Sequence, residues 1–285
     1  MPFATLYGHW RIQSIGKGMT WQSFLWATDT HFDHADEAAY EAFVSSIAAH
    51  GPIPLVLSGD IADGHTLSTF LLRLLNDTSC PIYFVLGNHD YYGSSVADVR
   101  SQVRALCENE ERLHYLTRGG IASLSPSVAL IGQDGWADGR CGDYDRSSIV
   151  LNDCYHIREL MGRSKEERLS IQQQFADEGA YQLDQDLDRA AAEHSHIIAV
   201  THLPPFRAAC LYEDSPADDN WAPHFVCQAI GATILKHAVE HPETQYLVLC
   251  GHSHHTANVE ILPNLRVLCG AAEYGNPQLQ DPLSI

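Results

Sequence analysis

Residues able to bind metal or move protons are concentrated where apolar runs end. Ile82-Tyr83-Phe84-Val85-Leu86 runs into Gly87 and then Asn88-His89-Asp90 without a gap. Four other runs end alike. Ser23–Thr28 leads to Asp29-Thr30-His31, and Ile53–Ser58 to Gly59-Asp60-Ile61-Ala62-Asp63. His196–Val200 leads to Thr201-His202, and Tyr246–Cys250 to Gly251-His252-Ser253-His254. Open α/β sheets place their chemistry at the carboxyl ends of strands, so five such endings point to one shared site.

Together, Asp29, His31, Asp60, Asn88, His202, His252 and His254 offer carboxylate or amide oxygens and imidazoles. One ion that also holds water does not need so many ligands, whereas two ions sharing a carboxylate do. Mixed Asp/His donors suit Mn, Fe or Zn better than Ca, which prefers oxygen alone. Two ions ~3.5–4 Å apart form a clamp for in-line displacement at phosphorus. A protonated histidine beside them can protonate the leaving oxygen. Taken singly, some of these motifs have plainer readings. Asp29-Thr30-His31 suits a helix N-cap, and Thr201-His202 a hydrogen-bonded interior histidine.

The order Asp-x-His, Gly-Asp-x-x-Asp, Gly-Asn-His-Asp, a lone His and Gly-His-x-His resembles the calcineurin-like metallophosphoesterases, over the span from Asp29 to His254. The resemblance implies a four-layer αββα sandwich, two mixed sheets flanked by helices. It implies that Asp29, His31 and His254 hold one metal, that Asn88, His202 and His252 hold the other, and that Asp60 bridges them. His89 then resembles the leaving-group acid and Asp63 the carboxylate that orients it, while Asp90 helps position the loop. Thr201 departs mildly from the small residue usual before the lone histidine. The implied activity is hydrolysis of a phosphate mono- or diester by direct attack of a metal-bridging hydroxide. The alternatives are a phosphodiesterase specific for cyclic nucleotides or nucleic acid, and a non-catalytic metal-binding scaffold on the same fold.

The elements that must position these residues are also legible. Apolar strands at about 23–28, 53–58 and 82–86 alternate with helical stripes at 35–50, 65–76 and 94–108. This pattern predicts right-handed βαβ units and a largely parallel sheet buried on both faces. Further strands are predicted at 127–133, 196–200 and 245–250, a helix at 224–240, and a hairpin across Thr256–Leu262 and Leu265–Cys269. Tyr7–Ile15 reads as an edge strand. The expected organisation is one domain over 1–285, with a core of 23–133 and 194–275. Residues 134–192, polar and rich in Gly, Asp and Arg at their start, read as a cap-like insertion. The long loop 203–223 reads as functional.

The chain of 285 residues carries a net charge of −19. Such an acidic balance opposes tight binding to a polyphosphate backbone but not to a small phosphate ester, because bound cations reverse the local sign. The expected partner is therefore a small phosphate ester or phosphorylated substrate. No apolar run reaches the length of a membrane span, and Met1–Lys17 has no hydrophobic signal core, so a cytoplasmic protein whose eight cysteines are mostly reduced is expected. Arg140 and Arg207 are candidate phosphate ligands, with Trp136 or Tyr212 as surfaces on which a substrate ring could stack.

Overall fold

The computed structural model describes residues 20–117 and 120–285. The expected edge strand at 7–15 lies outside them. The strands are β1 (Ser23–Ala27), β2 (Leu55–Ser58), β3 (Ile82–Val85), β4 (Leu113–Tyr115), β5 (Ala122–Ser125), β6 (Val128–Gln133), β7 (His196–Thr201), β8 (Leu211–Tyr212), β9 (Ser215–Pro216), β10 (Gln245–Cys250), β11 (Ala257–Leu262), β12 (Leu265–Cys269) and β13 (Leu283–Ser284). The helices are α1 (Glu37–Ala48), α2 (Leu67–Asp77), α3 (Val96–Asn109), α4 (Asp153–His156), α5 (Lys165–Glu193), α6 (Ala222–Phe225) and α7 (Gln228–Glu240).

There are two large mixed sheets. One runs β13-β1-β2-β3-β4, with β1 to β4 parallel and β13 antiparallel at the edge. The other runs β11-β12-β10-β7-β6-β5, a parallel centre with an antiparallel strand on each side. The side-chain alternation of a strand explains how they stack. Phe24 and Trp26 of β1 join Val56, Tyr83 and Val85 in one buried cluster with Leu130, Ile198, Val200 and Leu249 of the second sheet. Leu25 and Ala27 point the other way, into a cluster with Tyr40, Phe43 and Ile47 of α1 and Leu71 and Leu74 of α2. On the second sheet, Ala129, Ile131, Ile197 and Ala199 likewise face Leu187 of α5 and Ile234 of α7. The result is helix, sheet, sheet, helix. Apolar periodicity predicted one largely parallel sheet and could not separate two, because a strand covered by helices reads like one covered by a second sheet.

The stretch 134–192 divides. Its first part, with α4, docks on the segment after the Asn88 motif: the Gly93 amide donates to the His156 carbonyl and the Arg158 amide to that of Ser94. Its second part is α5, 29 residues long and opened by a Ser164–Glu167 capping box. Ala176, Leu183, Leu187 and Ala190 form a narrow apolar stripe that packs α5 on β6, β7 and α7 as a core layer. No described helix is long and apolar enough to cross a membrane, and all eight cysteines are free.

Candidate dinuclear metal centre

The strands β1, β2, β3, β7 and β10 end at one edge of the sandwich, and their loops are locked to one another. The Asp29 amide donates to the Gly59 carbonyl (3.0 Å), that of His31 to Asp60 (3.0 Å) and that of Gly251 to His202 (2.8 Å). These ties hold an unusual backbone. Asp29, His31, Asp60, His252 and His254 have φ of 48°, 39°, 51°, 66° and 57°. A non-glycine residue held in this region costs on the order of 1–3 kcal/mol, and such strain gathers at functional sites. The loops also meet at very short range. A Cβ on Gly87 would lie 2.1 Å from Asp60 Oδ1, so only glycine fits there.

Two groups of donors result. In the first, His254 Nε2 lies 3.3 Å from Asp29 Oδ1 and 3.4 Å from His31 Nε2. In the second, His202 Nε2 lies 3.3 Å from Asp60 Oδ2 and 3.1 Å from Asn88 Oδ1, with His252 completing the set. Asp60 Oδ2 is also 3.8 Å from His31 Nε2, so one carboxylate oxygen faces both groups. The supporting bonds aim the donors. His202 Nδ1 is 2.9 Å from the Ser58 carbonyl and His252 Nε2 is 3.3 Å from that of His224, which leaves the other nitrogen of each ring for a metal.

The electrostatics fit cations. Burial opposes a charge on His202, yet the Asp60 and Asp29 carboxylates override it and raise its pKa to about 10. A field that draws a proton onto a fully buried imidazole draws a metal ion in the same way, and metal binding would release that proton. Burial lowers His31 to about 4, and burial with the neighbouring His202 lowers His252 to about 3. Both are therefore neutral lone-pair donors at physiological pH. Burial works against ionisation of Asp60 as well, but the imidazoles of His202, His89 and His31 hold its pKa well below the usual carboxylate range.

The sequence profile of the calcineurin-like phosphoesterases matches residues 23–256. The chain belongs to that family. No curated protein matches it. Among solved structures it is similar to phosphopantetheinyl hydrolase (PptH) from Mycobacterium tuberculosis, with a TM-score of 0.62 and 13% identity over 91% of this chain and 95% of that one. It is also similar to a dimetal phosphatase from Danio rerio, with a TM-score of 0.51 and 15% identity over 88% and 87% of the two chains. At these identities the likeness establishes the fold.

The other residues expected at this phosphoesterase site divide. The His89 amide donates to Asp60 Oδ1 (2.8 Å), and its ring stacks on Tyr92 at 4.2 Å and meets His31 at 4.7 Å, beside the donor groups. Asp90 accepts from the amides of Ile61, Ala62 and Gly87, joining two motif loops. Asp63 instead accepts from the His65 and Thr66 amides and the Thr66 hydroxyl, which shapes the turn into α2. Among the described residues no hydrogen bond links it to His89. Among the described residues, neither arginine has a hydrogen bond or ion pair to the donor groups. Arg140 is held by Asp138 and Asp177, and Arg207 by Asp219 and the Ala217 carbonyl. Each guanidinium group is thus engaged by acceptors of the chain's own. Trp136 is buried and packs between Tyr91 and Phe175, while Tyr212 is exposed against His255.

Two carboxylates outside the motifs complete the site. Asp134 accepts from the Leu86 amide, the Tyr91, Tyr115 and Thr117 hydroxyls and the Arg100 guanidinium, and its carbonyl accepts from the His202 amide. It thus braces the loops carrying Asn88 and His202. Asp153 of α4, itself buried, accepts from Asn88 Nδ2 (2.9 Å) and the Tyr92 hydroxyl (2.7 Å). It therefore turns the amide oxygen of Asn88 toward His202 and fixes the ring on which His89 stacks. Replacing Asp153 by alanine should weaken binding of the second metal about 10- to 100-fold, the usual loss for such an outer partner. Titration of the metal-stripped protein with Mn²⁺ would measure it, and an unchanged affinity would refute the orienting role.

Proposed function

We propose that this chain hydrolyses a phosphate ester, mono- or diester, at a pair of metal ions. Asp29, His31 and His254 would hold one ion, Asn88, His202 and His252 the other, and Asp60 both. The observation that carries the reading is Asp60 Oδ2 facing His31 on one side and His202 on the other, with His89 alongside. Similarity in fold to proteins described as a phosphopantetheinyl hydrolase and a dimetal phosphatase supports the same class. The oxygen and imidazole donors, with no thiolate among them, favour Mn, Fe or Zn.

When bound, such a pair of ions supplies an activated water and neutralises charge developing at phosphorus. The chain supplies the geometry around it. Asp60 sets the distance between the donor groups, and the strained motif loops preorganise them. His89 is held by its backbone bond to Asp60 and its stack on Tyr92, and it carries the proton that the departing alcohol takes. The stack does the orienting that the family resemblance implies for Asp63.

The test is hydrolysis of a chromogenic phosphomonoester and the matching diester by metal-stripped protein resupplied with Mn²⁺. Turnover that returns with two ions per chain is expected, and the favoured ester defines the substrate class. Two bound ions with no hydrolysis of either ester would reject the proposal in favour of a metal-binding scaffold.

A further inference from the structure

A sixth strand also ends at the site. β12 pairs with β10 in parallel, with Cys269 beside Cys250, so the loop after it leaves the sheet at the edge where Gly251–His254 leaves it. That loop, Gly270-Ala271-Ala272-Glu273-Tyr274-Gly275, contains no metal-binding histidine. It nevertheless lies on the donor groups. The Tyr274 ring is 4.3 Å from that of His31 at an interplanar angle of 31°, 5.1 Å from that of His254 and 6.2 Å from that of His89. Tyr274 thus packs on a proposed ligand of the first ion and lies near the candidate acid, yet it is 49% exposed. His31 beneath it is fully buried.

The loop is built to hold that position. The Gly270 amide donates to the Cys250 carbonyl, and that of Ala272 to the His254 carbonyl. Gln280 bonds both backbone groups of Ala271. The Asn276 amide closes a turn on the Glu273 carbonyl across Gly275, whose φ of 79° suits glycine. The phenol at the end of this braced arm makes no hydrogen bond among the described residues. The Tyr92 hydroxyl, by contrast, is taken by Asp153.

A bound phosphoryl group presents several anionic oxygens, and two ions do not contact all of them. With Arg140 and Arg207 engaged elsewhere, an uncommitted neutral donor is what the rim of the centre still offers. We infer that Tyr274 is a substrate-contacting residue whose phenol donates a hydrogen bond to a non-bridging oxygen of the phosphoryl group. This rests on the phosphoesterase reading above. A ring that only packs on His31 would need no hydroxyl, and that difference is the handle for a test.

The experiment compares Mn²⁺-loaded wild type, Tyr274→Phe, and Tyr181→Phe as a control at an exposed position on α5. Metal content is measured first, then the Kd for inorganic phosphate by calorimetry. Tyr274→Phe keeps the ring and should keep both ions, while its phosphate Kd rises about 10- to 100-fold, as expected for a lost hydrogen bond to a charged group. Tyr181→Phe should match wild type. An unchanged phosphate Kd in Tyr274→Phe would overturn the inference and leave the phosphoesterase reading intact. Loss of an ion from Tyr274→Phe would also overturn it, because the phenol would then be a metal ligand. A wild type that binds two ions but neither binds phosphate nor hydrolyses an ester would overturn both readings.

Discussion

Asp60→Ala is expected to lose both ions and nearly all turnover together. This carboxylate faces both donor sets: its Oδ2 is 3.3 Å from His202 Nε2 and 3.8 Å from His31 Nε2. Its other oxygen holds the His89 amide at 2.8 Å. Alanine would therefore remove the proposed shared ligand and also free the loop that carries the proposed acid. Loss of an outer partner alone costs about 10- to 100-fold in metal affinity or activity, so loss of this ligand should exceed ~10²-fold. Metal analysis after gel filtration and steady-state kinetics would measure both. Retention of two ions at wild-type affinity would mean that the centre is not bridged through Asp60.

His89→Ala should separate the two properties. Its imidazole is close enough to Asp60 and His31 to belong geometrically to a donor group, so a role as ligand competes with the role as acid. An acid contributes about 10²–10⁴-fold to turnover. The expected result is a fall of that size in kcat for esters of ordinary alcohols, with both ions kept. The fall should be much smaller for a nitrophenyl ester, whose leaving group needs no proton. If His89→Ala loses an ion, or slows both esters equally, the acid assignment is wrong.

These expectations could be framed from sequence because buried parallel strands read as unbroken apolar runs, against which the polar residues closing each run stand out. Asp29, Asp60, Asn88, His202 and His252 are legible in this way as strand endings. Their division between two sheets is not, since it leaves no mark on periodicity. α5 is obscured because only a narrow stripe of its 29 residues is apolar. The arginines mislead for an electrostatic reason. With 36 acidic residues against 17 Lys and Arg, an arginine readily finds a carboxylate of its own, as Arg140 and Arg207 do. Asp134, Asp153 and Tyr274 escape a sequence reading because a lone Asp or Tyr in a loop has no spacing to betray it. Only the folded chain shows Asp153 behind Asn88 or Tyr274 against His31.

The donors proposed for each metal come from both sheets. Asp29 and His31 follow β1 in one sheet while their partner His254 follows β10 in the other, and Asn88 follows β3 while His202 and His252 follow β7 and β10. Neither sheet alone carries a complete donor set, so bound ions would act as rivets across the seam and would be set only after the halves have met. They would then belong to the native state and not to the folding transition state. Added metal should therefore leave the refolding rate nearly unchanged and slow unfolding, with stopped-flow experiments in the presence and absence of Mn²⁺ as the check. At a free concentration 1,000 times the dissociation constant, the gain in stability would be about 4 kcal/mol per ion, held almost entirely as a longer native lifetime.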